Sequence, residues 1–258
     1  DGPDHAGKIE CDALQLSSCL SSLEPSAYAL DDVVFRGLLK PRALNSHKGM
    51  YGHVLVIGGG LGMPGAVYLA ALAAMRVGAG MVTIATHPDQ VRGVLPLLPE
   101  VMVYPIHNIQ DLLPLFARAT IGIVGPGLGE SAWAKDVFQT VISAQLPLVV
   151  DASALRMLAQ HPQQDESWIL TPHPGEAAAL LSCSVDEVQQ DRYQSSRLIQ
   201  QEWGGCVVLK GAGTIIHTSE DQSYVCTAGN PGMATAGMGD VLSGVIGGLL
   251  AQGLDMDD

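Results

Sequence analysis

The sequence predicts an α/β protein, a three-layer α/β/α sandwich built on a mostly parallel central sheet. Three observations carry that expectation. From residue 53 onward, short β-branched runs alternate with Ala/Leu-rich segments of helical length. Several runs, VLVIGG (54–59) first among them, are apolar at every position, as strands covered on both faces must be. Glycine clusters at 58–62, 125–129, 211–213 and 237–239 each follow a strand or precede a helix. All four should therefore line one edge of the sheet, where such folds bind ligands.

The elements follow in order. VLVIGG (54–59) ends in glycines and reads as a buried strand, and AVYLAALAAMRVG (66–78) as a helix stopped by Gly78. MVTIAT (81–86) and VMVYP (101–105) are strands around a helix at 89–98. IQDLLPLFARA (109–119) is a helix, and IGIVGPGLG (121–129) a strand running into a glycine loop. A helix at 131–144 and a strand at 146–152 come next. WILTPHPGE (168–176) is a strand that breaks into a Pro-flanked turn and starts a helix with Glu176 in its first turn. One long helix is expected at 185–203, and two strands around a glycine turn at 206–218. The last element, 237–253, is an apolar helix expected to be buried inside the protein. Residues 1–40 show no sustained apolar period and no strong strand, and read as a leader or the tail of something upstream.

Composition narrows the function. In 258 residues, 26 acidic side chains stand against 13 basic ones, a net charge of −13, which argues against a nucleic-acid partner. An anionic ligand must then be held by local features rather than by the overall field. The five cysteines are odd in number and form no CxxC, so neither a disulfide framework nor structural zinc is expected, and a reducing cytoplasm fits. Residues 49–75 carry no Lys, Arg, Asp or Glu, but Gly and Pro interrupt them at 58–65, so no membrane span is read there.

Five segments could carry chemistry. GGGLGMPG (58–65) follows a strand, but position 63 is Met where a dinucleotide fingerprint needs glycine. GMGD (237–240) opens a helix, whose exposed N–H groups make an anion site that Gly237 and Gly239 leave accessible. Asp240 on its own reads as an N-cap; beside such a cradle it is also poised to take a proton from a hydroxyl that attacks phosphorus. KGAGT (210–214) is either a hairpin turn with a surface lysine or a backbone grip on a nucleotide. TPHPGE (171–176) holds His173 rigidly between two prolines at a strand end, which favours a site role over packing. Asp151, in VVDASA, either binds a ligand or caps the following helix. The remaining histidines show no metal-binding spacing, and no serine sits in a G-x-S-x-G elbow.

Together, SHKGMYGHVLVIGG (46–59), GPGLG (125–129), TPHPGE (171–176), VLKGAGT (208–214) and GNPGMATAGMGDVLSG (229–244) resemble the NAD(P)H-hydrate dehydratases in order and spacing. The resemblance covers about residues 40–258 and implies a ribokinase-like fold. It implies nucleotide-dependent dehydration of NADH or NADPH hydrate, with ADP or ATP as co-substrate and Mg²⁺ on its phosphates. Asp240 would be the catalytic base. Lys210, Gly211, Ala212, Gly213 and Thr214, with Gly237, Met238 and Gly239, would hold the nucleotide. Ala66, Gly127, His173 and Asp240 would contact the hydrate, and no protein metal site is implied. Two departures are Met238, where many members have Thr, and Ser153, where they have Asp.

By the same resemblance, residues 1–41 look like the linker that follows an epimerase domain in bifunctional members, and 42–258 like the dehydratase domain, cut short at its C-terminus. A homo-oligomer, a tetramer in many members, is the expected assembly. The rival expectations are a small-molecule kinase on the same fold and a non-catalytic module that binds adenine nucleotide.

Overall fold

The computed structural model describes residues 10–257 apart from 11, 13, 21, 32–34, 36 and 95–97. Its strands are β1 (Tyr28–Ala29), β2 (His53–Gly58), β3 (Met81–Thr86), β4 (Met102–Pro105), β5 (Ile121–Val124), β6 (Leu148–Val150), β7 (Trp168–Leu170), β8 (Cys206–Leu209), β9 (Thr214–His217) and β10 (Ser223–Cys226). The helices are α1 (Ser17–Leu20), α2 (Pro64–Val77), α3 (Val91–Val94), α4 (Leu113–Phe116), α5 (Ala132–Ile142), α6 (Ser153–Gln160), α7 (Pro174–Leu180), α8 (Val185–Gln190), α9 (Arg192–Trp203) and α10 (Met238–Leu250).

The strands form one sheet in the order β1-β10-β9-β8-β7-β6-β5-β2-β3-β4. Every pairing from β4 to β8 is parallel, and β9 is antiparallel to both β8 and β10. β2 pairs with β3 on one side and β5 on the other, so the order reverses there and opens a crevice at the strands' C-terminal ends.

Period-two alternation sorts the side chains of β2 between two cores. Val54 and Val56 join a cluster with Val67, Ala70, Ala71 and Ala74 of α2. Leu55 and Ile57 join a cluster with Phe138 of α5, Leu155 of α6, Ala177 of α7 and Trp203 of α9. These are the two faces of a three-layer sandwich, the expected architecture. Truncating a fully buried side chain such as Phe138 to Ala is expected to cost about 3–5 kcal/mol.

Several elements differ from expectation. The single helix expected at 185–203 is two, α8 and α9. Asp191 between them adopts φ −144°, ψ 88°, and its carboxylate accepts from the Gln194 N–H at 2.9 Å. A side-chain cap in mid-sequence gives the backbone a reason to restart. The helix at 109–119 is a 3₁₀ turn, Ile109–Leu112, leading into α4. The helix at 89–98 begins as a 3₁₀ turn, Pro88–Gln90, and continues as α3, while residues 95–97 lie outside those described. β10 has no counterpart among the expected elements. β1 lies in the stretch read as having no strong strand, yet pairs parallel with β10, Tyr28 opposite Tyr224. Much of the rest of 1–41, and Asp258, also lies outside the described residues.

α10 corrects a further expectation. It is not buried all round: only Ser243, Gly244, Gly247 and Gly248 are buried, and its larger residues are half-exposed. The inward face is a glycine stripe. A Cβ on Gly244 would lie 2.2 Å from the Ala70 carbonyl oxygen, and one on Gly247 2.6 Å from Ile123 Cδ1. The helix therefore seats its backbone directly on α2 and β5 as part of an outer layer.

Among the described residues, Cys19, Cys183, Cys206 and Cys226 are free thiols, and no helix is long and apolar enough to cross a membrane.

Candidate active site

The crevice between β2 and β5 is lined by two glycine loops tied together by backbone hydrogen bonds. Gly59 N–H donates to Pro126 O at 3.0 Å and Gly60 N–H to Gly127 O at 2.7 Å. Gly127 has φ +57°, and a Cβ there would lie 2.9 Å from the Ala66 Cβ and 2.7 Å from the Met63 carbonyl oxygen. Ala66, near the start of α2, and Gly127 are thus adjacent. Gly125 stands against the Asp151 carbonyl, which a Cβ would approach to 1.8 Å, so the loop after β5 abuts the end of β6.

Asp151 is the centre of the charged part of the site. It is 1% exposed. Its Oδ1 accepts from Lys210 Nζ at 2.8 Å and its Oδ2 from Ser243 Oγ at 2.7 Å. Burial works to raise this carboxyl, but the Lys210 ammonium and the hydrogen bonds outweigh it, and the pKa is held below the usual carboxylate range. The carboxylate does not cap α6: the N-cap there is Ala152, with no side-chain cap bond.

Lys210 follows β8, and its side chain turns inward rather than to the surface. The ammonium also lies 3.8 Å from Glu176 Oε2. A Cβ on Gly239 would sit 3.4 Å from Lys210 Nζ and 3.6 Å from Asp151 Oδ2, so this pair rests against the first turn of α10. The surface-lysine reading is therefore overturned.

At that turn the N-cap is Gly237, in the left-handed region at φ +89°. Asp240 is the third residue of the helix, and the helix has no side-chain cap bond. The N-cap reading of Asp240 is overturned as well. The N–H groups of Met238, Gly239 and Asp240 belong to the first turn, which has no intrahelical acceptors. Burial, then the charge of Asp151, pushes the Asp240 carboxyl up to about 6, with Lys210 pulling the other way.

His173 is held by a helix cap as well as by its flanking prolines. Its Nδ1 accepts from the N–H groups of Gly175 at 2.9 Å and Glu176 at 3.2 Å, capping α7. Glu176 returns the contact by accepting from the His173 N–H at 2.8 Å. Its Oε1 lies 3.3 Å from His173 Nε2, so His173 joins the cluster through Glu176 and Lys210. Burial lowers the His173 pKa, and the positive charges of Lys210 and Arg156 add to that. Burial raises Glu176 against the pull of Lys210.

The structure thus gathers Lys210, Gly239, Asp240 and His173 around Asp151, with Ala66 and Gly127 adjoining through Gly125. Gly211 and Ala212 form the exposed tip of the β8–β9 turn, where Thr214 Oγ1 donates to Gly211 O at 3.1 Å. Sequence reasoning misses the inward lysine, Glu176 as a site member, and Ser243. The one available signal is Asp151 at a strand end. Lys210 and Ser243 lie 59 and 92 positions from it, beyond any local pattern.

No group of three or more His, Cys, Asp or Glu among the described residues could hold a metal ion. Both oxygens of Asp151 already accept hydrogen bonds. With Asp151 engaged in this way, the donor set fits a divalent cation that would arrive already bound to nucleotide phosphate oxygens.

A family model described as NAD(P)H-hydrate dehydratase matches residues 54–258. The chain is 50% identical over 255 residues to the bifunctional NAD(P)H-hydrate repair enzyme of Coxiella burnetii, covering 98% of this chain and 52% of that protein. It thus spans about half the length of that relative. It is 40% identical over 229 residues to the ADP-dependent (S)-NAD(P)H-hydrate dehydratase of Neisseria meningitidis, covering 85% of this chain and 76% of that one. Among solved structures it is similar to the Bacillus subtilis ADP/ATP-dependent NAD(P)H-hydrate dehydratase co-crystallised with ATP and Mg²⁺. There the TM-score is 0.78 at 31% identity, over 89% of this chain and 83% of that one.

Proposed function

Because the chain belongs to the NAD(P)H-hydrate dehydratase family, we propose that it repairs NAD(P)H hydrate, using ADP or ATP to drive loss of water and regenerate NAD(P)H. One observation carries this reading: an anion-accepting helix start, an ammonium and a carboxylate converge at Gly239, Lys210 and Asp240. Phosphoryl transfer to a hydroxyl needs those three groups together.

Hydroxide leaves poorly, so the ring hydroxyl is first made into a phosphate ester. Asp240 accepts the hydroxyl proton as its oxygen attacks the terminal phosphorus, and the bond from that phosphorus to the nucleotide breaks. The N–H groups of Gly237–Gly239 and the Lys210 ammonium face the transferring group. Asp151 and Glu176 hold that ammonium in place. Mg²⁺ arriving with the nucleotide phosphates would supply charge neutralisation. The ring-nitrogen lone pair then expels phosphate with its bonding electrons. Loss of a proton from the neighbouring ring carbon restores the reduced nicotinamide.

Ala66, Gly127 and His173 contact the hydrate in this reading, and Lys210–Thr214 contact the nucleotide. The protein works in the cytoplasm, which the free thiols support, and forms a homo-oligomer by family resemblance. The test incubates NADH hydrate with the protein, Mg²⁺ and either ADP or ATP. Expected are recovery of the reduced-nicotinamide absorbance and one phosphate released per ring restored. A phosphorylated product that accumulates without recovery would point instead to a kinase.

A further inference from the structure

Arg192 lies outside every motif described above, yet it is bound to the nucleotide loop. It is the first residue of α9, aimed by the break at Asp191. Its Nη1 donates to Ala212 O at 3.0 Å and Gly213 O at 2.9 Å, and its Nη2 to Leu209 O at 3.0 Å. The planar fork thus gathers three carbonyls from one turn, which a lysine point charge cannot do. Gly211 is packed against it, since a Cβ there would lie 2.7 Å from Nη2. Among the described residues, Arg192 Nε is buried with no partner. A donor left unsatisfied works against stability.

The geometry has a direct consequence. In a planar trans peptide the C=O and the following N–H point in opposite directions. Turning the Ala212 carbonyl onto the guanidinium turns the Gly213 N–H away from it, while the next residue, Thr214, is already paired with Cys226 in the sheet. Resting on the function proposed above, we propose that Arg192 is a positioning residue that presets the Lys210–Thr214 turn to offer the Gly213 N–H to the nucleotide. It touches neither phosphate nor hydrate. Its effect is on nucleotide affinity, through a loop whose carbonyls it holds out of the way.

The experiment measures ADP and ATP dissociation constants with Mg²⁺ by calorimetry, the Michaelis constants for nucleotide and NADH hydrate, and the melting temperature. Parent, Arg192→Met and Arg192→Lys are compared. Loss of charged hydrogen bonds to the loop is expected to weaken nucleotide binding by about 10–100-fold in Arg192→Met, with Arg192→Lys recovering little of it. The hydrate Michaelis constant and kcat at saturating nucleotide stay close to parent. A purely structural role would instead lower melting temperature and active fraction while the remaining enzyme bound nucleotide normally. Arg192→Met with parental nucleotide affinity overturns the proposal. If Arg192→Met does not fold, Arg192→Lys, which keeps the charge but lacks the planar fork that gathers the three carbonyls, tests the proposal by the same affinity measurement. A parent that binds neither nucleotide overturns the function proposed above and this inference with it. A parent that binds, with variants that bind equally well, overturns this inference alone.

Discussion

Lys210 Nζ lies 2.8 Å from Asp151 Oδ1, and this contact joins the ends of β6 and β8 to the first turn of α10. It fixes the Lys210 ammonium against Gly239, the place where the function proposed above hands over the phosphoryl group. Removing either partner therefore tests stability and chemistry together.

Lys210→Met leaves Asp151 buried with only uncharged partners, the Ser243 and Thr171 hydroxyls. Breaking such a pair is expected to destabilise toward the low end of about 3–5 kcal/mol, since the lysine side chain is 22% exposed and its charge partly solvated. At roughly 2–4 °C per kcal/mol for a chain of this size, thermal melts at neutral pH read the loss. Asp151→Asn combined with Lys210→Met should melt above Lys210→Met alone, because the most buried carboxylate is then no longer a stranded charge. A double variant less stable than both single variants would refute the pairing argument.

The same pair predicts an acid dependence. The folded pKa of Asp151 lies below its unfolded value. Its contribution is therefore fully present above the unfolded pKa, about 4, and is lost as pH falls through the lowered folded pKa. The stability gap between parent and Lys210→Met should be widest above about pH 5 and shrink below about pH 4. Urea titrations across that range check it, and a gap that widens on acidification contradicts it.

Asp240→Asn separates chemistry from stability. Turnover should fall by roughly 10²–10⁴-fold, while nucleotide affinity changes little. Asp240 titrates near 6 when folded, above its unfolded value. Between about pH 4 and 6 the native state holds a proton that the unfolded state has lost, so parent stability declines across that window. The Asn variant lacks this decline and should melt above parent at pH 8 but not at pH 4. A fully active variant would end the mechanism.

The acid limb of kcat/KM should fall near pH 6, where Asp240 loses its ability to accept a proton. The charge of Asp151 helps raise that pKa and the charge of Lys210 lowers it. Asp151→Asn should move the limb to lower pH and Lys210→Met to higher pH. A limb that stays fixed in both variants assigns it to another group.

Gly127→Ala places a methyl 2.9 Å from the Ala66 Cβ on a backbone at φ +57°. The left-handed conformation alone costs about 1–2 kcal/mol for a non-glycine residue. The hydrate Michaelis constant should rise with nucleotide affinity unchanged, since this crevice wall lies on the far side of Asp151 from Lys210. Equal losses for both ligands would mean a general collapse of the crevice.

Local pattern is enough to read the strands β2 to β9, the flanking helices and the glycine loops at their C-terminal ends, because periodicity and glycine punctuation act over a few residues. It is also enough to single out Asp151, His173, Lys210 and Asp240, since each stands beside a turn that only certain residues can make. It does not show what those side chains do. Lys210 reads as a surface lysine and Asp240 as a cap because their partners are remote: Asp151 is 59 positions from Lys210. β1 escapes notice because a two-residue strand has no period and exists only where β10 offers an edge. The exposure of α10 is misread because an apolar helix and a glycine-faced outer helix share one composition, and only the approach of α2 decides between them. The order of residues along the chain thus specifies the layers and the edge where the site forms. The charge pairing is settled only in the folded molecule, because burial and distance, which set whether a carboxylate is held ionised or pushed toward neutrality, do not exist before the chain has folded.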